Sequence, residues 1–367
     1  SYINSLMGLV WLPFFILKFG ATTMTNTAKN IPAFTQTCGS KVFPELFQPG
    51  QIQLSIPTQR SPLVPSRPLY VFDKDKLSVA LAWMFSQDLQ QTLRLWGPSG
   101  SGKTEFVYAL GDRLGMPVYP VPIHSGLLPS DALVSKELVS SEKGVITKDR
   151  LLPLAQAYLE GGIVLLDEVD HANESMQTFL QTLLDGKPLS IPEAGLVIKK
   201  HPSCFIFATS NTPGEGGSAQ YVSANKENEA FRQRFSYLFF GYLQPSEEVK
   251  VLKQVWPDLP TRLAAKLVSF AGNVRSVSDE EASNEDLNDA YDGEPISAKL
   301  STRVLVALIQ WMKARYKAPF SSTFELAARG ACSAEAWPTV KEMLFSEFGD
   351  EIKKSPEELL SAFKVKK

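Results

Sequence analysis

This 367-residue sequence predicts an α/β fold: a parallel five-stranded sheet with helices on both faces, followed by a helical domain. Three observations carry that prediction. The octapeptide GPSGSGKT at residues 97–104 stands between a short apolar run and a helical stretch. Apolar runs at 92–96 (TLRLW), 118–121, 163–167 (IVLLD), 205–209 (FIFAT) and 237–240 (YLFF) alternate with helical stretches, the pattern of strands covered on both faces. After Gln244 and Pro245 the strands stop, and residues 246–255, 261–274, 301–317 and 336–348 all carry helical periodicity.

Along the chain, residues 6–17 (LMGLVWLPFFIL) are almost wholly apolar but shorter than the roughly 20 residues of a spanning helix, and Pro13 interrupts them. Segment 1–23 is expected to be an extension outside the fold; a membrane-surface anchor is the rival reading. Residues 24–68, rich in Pro, Thr, Gln and Ser, read as an irregular arm. The α/β unit is expected over 69–244. Within it Asp73 is placed to cap a helix that puts Leu77, Ala80, Leu81 and Met84 on one face. A helix over 105–114 follows the octapeptide. The helical unit is expected over 245–350. Between its helices, residues 278–294 carry eight carboxylates, a composition for a solvated loop or an acidic partner contact. Residues 351–367 read as a tail.

The charge balance is ordinary: 21% charged residues and a formal net charge of −2. Nucleic-acid binding would need a clustered basic excess, so none is expected, and no membrane span is expected either. Three scattered cysteines, Cys38, Cys204 and Cys332, fit a reducing, cytoplasmic setting without a disulfide framework. His124, His171 and His201 are isolated, and no Cys/His cluster has zinc spacing.

The octapeptide fits the phosphate-binding pattern G-x-x-x-x-G-K-[ST]. Gly97, Gly100 and Gly102 permit backbone angles that turn successive N–H groups of the loop after Pro98, those of Ser99 and Ser101 included, toward one anion. Lys103 supplies a point charge for the β- and γ-phosphates of ATP. The Thr104 hydroxyl is a hard oxygen ligand for Mg²⁺. A helix starting at Lys103, Thr104 and Glu105 adds its positive N-terminal end. A second motif lies 64 residues beyond Lys103: four apolar residues, then Asp167 and Glu168. This Walker B pattern sets Asp167 at the end of a buried strand, where it would hold the Mg²⁺ shell, and lets Glu168 polarise the attacking water. The run at 205–209 ends in Ser210, Asn211 and Thr212, and Asn211 can bond both the γ-phosphate and that water.

In this order the motifs resemble an AAA+ ATPase, and the helical unit resembles the AAA+ lid. More narrowly, the chain resembles the MoxR-like branch and, within it, the CobS-type ATPase subunit of aerobic cobaltochelatase. The residues that carry this are YVFD at 70–73, 97–104, 166–170, FATSNT at 207–212, Arg234-Phe235 and LSTR at 300–303. The resemblance implies a hexameric ring of identical subunits that uses ATP and Mg²⁺ to remodel a protein partner such as a von Willebrand factor A-domain protein. It implies that Arg234 is an arginine finger serving the neighbouring subunit, with Arg232 nearby, and that Arg303 is the sensor-2 arginine of the lid. It also implies two insertions: residues 125–150 within the helix-2 region, and a hairpin over 186–199. A cobalt chelatase motor is the narrower alternative; a nucleic-acid motor and an inactive scaffold are the remaining ones.

Overall fold

The computed structural model describes residues 34–86, 89, 91–141, 144–215, 226–278 and 296–364. The apolar extension 1–23 and residues 279–294 of the acidic stretch lie outside them. The described part of the arm is folded onto the α/β unit. Strand β1 (Phe34–Cys38) pairs antiparallel with β2 (Gln53–Pro57), and Phe43 and Leu54 enter the same core as the helix after the glycine-rich loop. Asp73 caps α1 (Lys74–Phe85) as expected: its carboxylate accepts the N–H groups of Asp75 at 3.0 Å and Lys76 at 3.2 Å.

The central sheet starts with β3 (Thr92–Trp96), which leads through the glycine-rich loop into α2 (Lys103–Leu114) and then β4 (Val118–Pro122). An antiparallel hairpin, β5 (Val134–Ser141) with β6 (Gly144–Leu151), fills the first expected insertion. Helix α3 (Pro153–Glu160), strand β7 (Gly162–Asp167) and helix α4 (Glu174–Leu184) follow. The second insertion is the short hairpin β8 (Leu189–Ile191) with β9 (Leu196–Ile198), turned at Gly195. Then come β10 (Cys204–Ser210) and β11 (Phe235–Phe239). The five parallel strands stand in the order β11-β3-β10-β7-β4. They are the five runs expected from the sequence, with ends shifted by one or two residues.

The two-residue period of a strand divides β7 between the faces. Ile163 and Leu165 join α1 and α2 in one core, while Val164 and Leu166 join α3 and α4 in the other. Burial on both faces is why these strands read as continuous apolar runs rather than alternating ones.

Beyond β11 the chain is helical among the described residues: α5 (Pro245–Val255), α6 (Thr261–Ser276), α7 (Thr302–Ala314), α8 (Phe320–Ala328), α9 (Ala336–Phe348) and α10 (Pro356–Phe363). These helices share a core of their own. Helix α10 falls within residues read from sequence as a tail. It starts on a capping box, Ser355 with Glu358, and buries Leu359 and Leu360 in that core. No helix among the described residues is long and apolar enough to cross a membrane.

Leu359 is fully buried. Leu359→Ala is expected to destabilise the helical unit by about 2–5 kcal/mol, read from urea unfolding; a change within about 0.5 kcal/mol would mean that α10 does not contribute to this core.

Candidate active site

The parallel register sets the geometry of the site. Trp96 pairs with Ser210 and Leu166 with Ala208, so β3, β10 and β7 end at one level. The loop after each carries one motif, and all three meet at the carboxyl edge of the sheet, where open α/β sheets bind ligands.

In the first loop, Gly97 and Gly100 both have positive φ, at 142° and 78°. A Cβ on Gly97 would lie 2.3 Å from the Phe240 carbonyl oxygen, and one on Gly100 would lie 2.4 Å from Ser301 Oγ. Both positions therefore exclude side chains by space as well as by backbone angle. Helix α2 opens on Gly102 with no side-chain cap, leaving the N–H groups of its first turn for an anion. The Lys103 ammonium is buried at the centre of the loop. It donates to the carbonyls of Gly97 at 2.6 Å and Pro98 at 2.9 Å, and to Asn211 Oδ1 at 3.1 Å. Ser101 Oγ is buried without a hydrogen-bond partner among the described residues. Glu105 points its carboxylate away from the loop, onto Arg67 at 2.7 Å, so only its backbone belongs to the anion cradle.

Asp167 joins all three loops. Its Oδ1 accepts the Thr104 hydroxyl at 3.0 Å and, on the other side, the Thr209 hydroxyl. Thr209 Oγ1 also accepts the Glu168 N–H at 3.1 Å. Glu168 is the one non-glycine residue with positive φ, 59°, among the described residues, a conformation that is strained for a side chain this size. Glu168 is solvent-exposed at this turn. Thr104 and Asp167 form the hard oxygen pair that Mg²⁺ prefers, and the orphan Ser101 hydroxyl, the Lys103 charge and the uncapped α2 terminus suit a polyphosphate. The residues present thus fit a magnesium nucleotide.

Asp170 was not singled out from sequence. It is fully buried, and its Oδ2 accepts the N–H groups of Asn211 at 3.0 Å and Thr212 at 3.1 Å and the Thr212 hydroxyl at 3.1 Å. It holds the backbone of the Asn211 loop while Lys103 holds the side chain. A third acid so close to Asp167 and Glu168 was the available sequence signal.

The helical unit reaches the site through Tyr242 and the start of α7. Tyr242 donates to the Ser99 carbonyl at 3.4 Å, and the Arg275 guanidinium lies over its ring at 4.4 Å. Arg275 forks onto the buried Glu248 at 2.8 and 3.0 Å and donates to the Leu300 carbonyl at 2.7 Å; Thr302 donates to Glu248 at 2.6 Å. This network fixes the first residues of α7 against Gly100, and brings Arg303 beside the loop: a Cβ on Gly100 would lie 3.7 Å from Arg303 Cβ.

Arg234 lies elsewhere. Its carbonyl accepts the Thr92 N–H at 2.9 Å, at the start of β3, a strand's length from Gly97. Its guanidinium pairs with Asp185 at 2.7 Å and holds that carboxyl below the usual carboxylate range. Arg232 stands 3.8 Å from Glu215.

Residues 92–235 match the family model of the AAA domain, dynein-related subfamily. Protein NorQ of Paracoccus denitrificans is 31% identical over 240 residues, which cover 65% of this chain and 78% of NorQ. The denitrification regulatory protein NirQ of Stutzerimonas stutzeri is 32% identical over 49% of this chain and 62% of its own length. The mouse von Willebrand factor A domain-containing protein 8 is 24% identical over 62% of this chain, a region that is 12% of the mouse protein.

Asp170→Ala leaves three donors without their acceptor. It is expected to cost about 1–3 kcal/mol or more in chemical unfolding. A shift below about 0.5 kcal/mol would show that water replaces the carboxylate and that Asp170 does not hold the loop.

Proposed function

The chain belongs to the MoxR-like AAA+ ATPases, the group of NorQ and NirQ, and on that premise we propose that it works as a hexameric ring that spends ATP hydrolysis on remodelling a protein partner. The observation that carries the reading is the convergence of Lys103, Thr104, Asp167, Glu168 and Asn211 on one edge of the sheet, joined by the Asp167 hydrogen bonds.

In this reading Lys103 and the first turn of α2 bind the phosphates. Thr104 and Asp167 hold Mg²⁺, which neutralises charge on the transferred phosphoryl group when bound. Glu168 takes up the proton of the attacking water, and Asn211 orients that water. Arg303 contacts the nucleotide from the lid. Arg234 sits at the opposite end of β3, about 16 Å along the strand from the loop, a length set by about 3.3 Å per residue. An arginine side chain cannot span that distance back to its own site. Any nucleotide that Arg234 touches would therefore be one bound by a neighbouring subunit, a placement consistent with a ring and a trans finger.

The two insertion hairpins support a protein partner. They expose Leu138 and Val145 on one, at 77% and 68%, and Leu196 and Val197 on the other, an arrangement suited to apolar contacts with a polypeptide. A von Willebrand factor A-domain protein is the partner we propose, since in the mouse relative a matching region and such a domain are parts of one chain. A chelatase motor of the CobS type would use the same ATPase site and is the alternative reading.

Lys103→Ala is expected to abolish nucleotide binding, measured with a fluorescent ATP analogue. Glu168→Gln keeps the shape of the site, and is expected to bind ATP without turnover; hydrolysis at the wild-type rate would remove Glu168 from its role. A Glu168→Gln pull-down is the companion test for the partner.

Arg234→Ala is expected to lower hydrolysis on the order of 10³-fold while an isolated subunit keeps its nucleotide affinity. Mixing Arg234→Ala with Lys103→Ala subunits should restore part of the activity, because some interfaces then pair an intact loop with an intact finger. Mixed rings that form and stay inactive would rule out action in trans.

A further inference from the structure

Half-way along β3, between the buried Leu93 and Leu95, lies an arginine with no solvent exposure. Arg94 Nη1 and Nη2 fork onto the two oxygens of Glu227 at 2.7 Å each, and Glu227 is equally buried. Nη2 also donates to the Thr212 carbonyl at 3.1 Å, and Nε to Ser210 Oγ at 2.8 Å. The Ser210 hydroxyl in turn donates to the Thr212 carbonyl at 2.8 Å. The guanidinium stands 5.3 Å from the Phe235 ring centre and 5.4 Å from that of Tyr237.

These contacts join two places that the backbone keeps apart. One is the end of β10, where Ser210 and Thr212 flank Asn211. The other is the segment that carries the interface arginines. Glu227 is followed by Asn228, which caps the one-turn helix Glu229–Arg232 through the Ala230 N–H at 2.8 Å. Arg234 follows after Gln233. Glu227 is also fitted against Gly214, where a Cβ would lie 2.4 Å from its Oε2. A buried ion pair is a poor device for stability, because apolar residues of the same volume are often as good or better. It is a good device for fixing one geometry, because a bidentate guanidinium–carboxylate pair tolerates neither rotation nor sliding.

We propose that the Arg94–Glu227 pair is a positioning couple that ties the placement of Arg234 to the Asn211 strand end, so that the state of one nucleotide site sets the finger offered to the next. Arg94 and Glu227 touch no reacting atom in this scheme. A displacement of Asn211 and Thr212 is carried by the guanidinium to Glu227, and from there to the cap of the turn that aims Arg234. This rests on the reading of Arg234 as a trans finger, and the test separates the two.

The test is a kinetic double-mutant cycle on the full chain, with Glu227→Gln and Arg234→Ala singly and together, measuring kcat and the Kd of a fluorescent ATP analogue. Glu227→Gln is expected to lower kcat about tenfold with Kd changed less than about threefold, and to add less than about twofold to the loss in Arg234→Ala. A tenfold loss that persists undiminished in the Arg234→Ala background overturns the coupling, as does a Kd that weakens in step with kcat. Wild-type turnover by Arg234→Ala alone overturns the finger reading itself, and the coupling with it. Should Glu227→Gln not fold, Glu227→Asp keeps the charge and draws the carboxylate back by one methylene; the same non-additive pattern is expected, and an additive loss overturns the proposal.

Discussion

Everything at this site depends on one constraint, the parallel register that ends β3, β10 and β7 at the same level. Pairing Trp96 with Ser210 and Ala208 with Leu166 brings three loops, separated by many tens of residues in sequence, within hydrogen-bond reach. Asp167 then serves as the common acceptor for Thr104 and Thr209, and Lys103 reaches Asn211. A one-residue slip of β10 would move Asn211 by about 3.3 Å and exchange its inward and outward faces, breaking both contacts. The two-sided core holds the register, because Ile206 and Ala208 pack on one face and Phe207 on the other.

The loop at this edge is tied to its surroundings on two sides. The Lys103 ammonium is satisfied by loop carbonyls and by Asn211, so an arriving phosphate competes for donors already in use rather than for an idle charge. The lid is attached at the same loop, through Tyr242 on Ser99 and Ser301 against Gly100. A change in the loop therefore meets the Arg275–Glu248 fork on one side and, through Asn211, the Arg94–Glu227 fork on the other. Two buried ion pairs flank the site, one toward the lid and one toward the edge strand β11.

Much of this was legible in the residues. The three central runs gave β3, β7 and β10 because burial on both faces leaves little polar alternation to confuse them, and the edge strands β4 and β11 were legible because even their exposed positions carry apolar residues. Asp73 as a cap and the 186–199 hairpin followed from local chemistry, a side-chain acceptor and a glycine turn. Spatial order was less accessible. Glu227 lies 133 residues from Arg94, and no local signal joins them. Yet an arginine inside TLRLW was itself a signal, since a charge in a strand covered on both faces requires a buried partner. The hairpin at 134–151 was hidden by its polar, charged sequence without a tight-turn dipeptide. Helix α10 was missed although Ser355 and Glu358 spell a capping box, and the folded arm was missed because its strands are only five residues long and lie in a segment rich in Pro and Ser.

We propose that hydrolysis takes place at a composite site, with the loop edge of one subunit and Arg234 of the next. A structure of the Glu168→Gln ring with ATP and Mg²⁺ tests this most directly. The account predicts that Arg234 has left Asp185 of its own subunit and donates to the γ-phosphate bound by its neighbour. An ATP-filled ring in which Arg234 stays on Asp185, with no arginine of the adjacent subunit at the γ-phosphate, would contradict it.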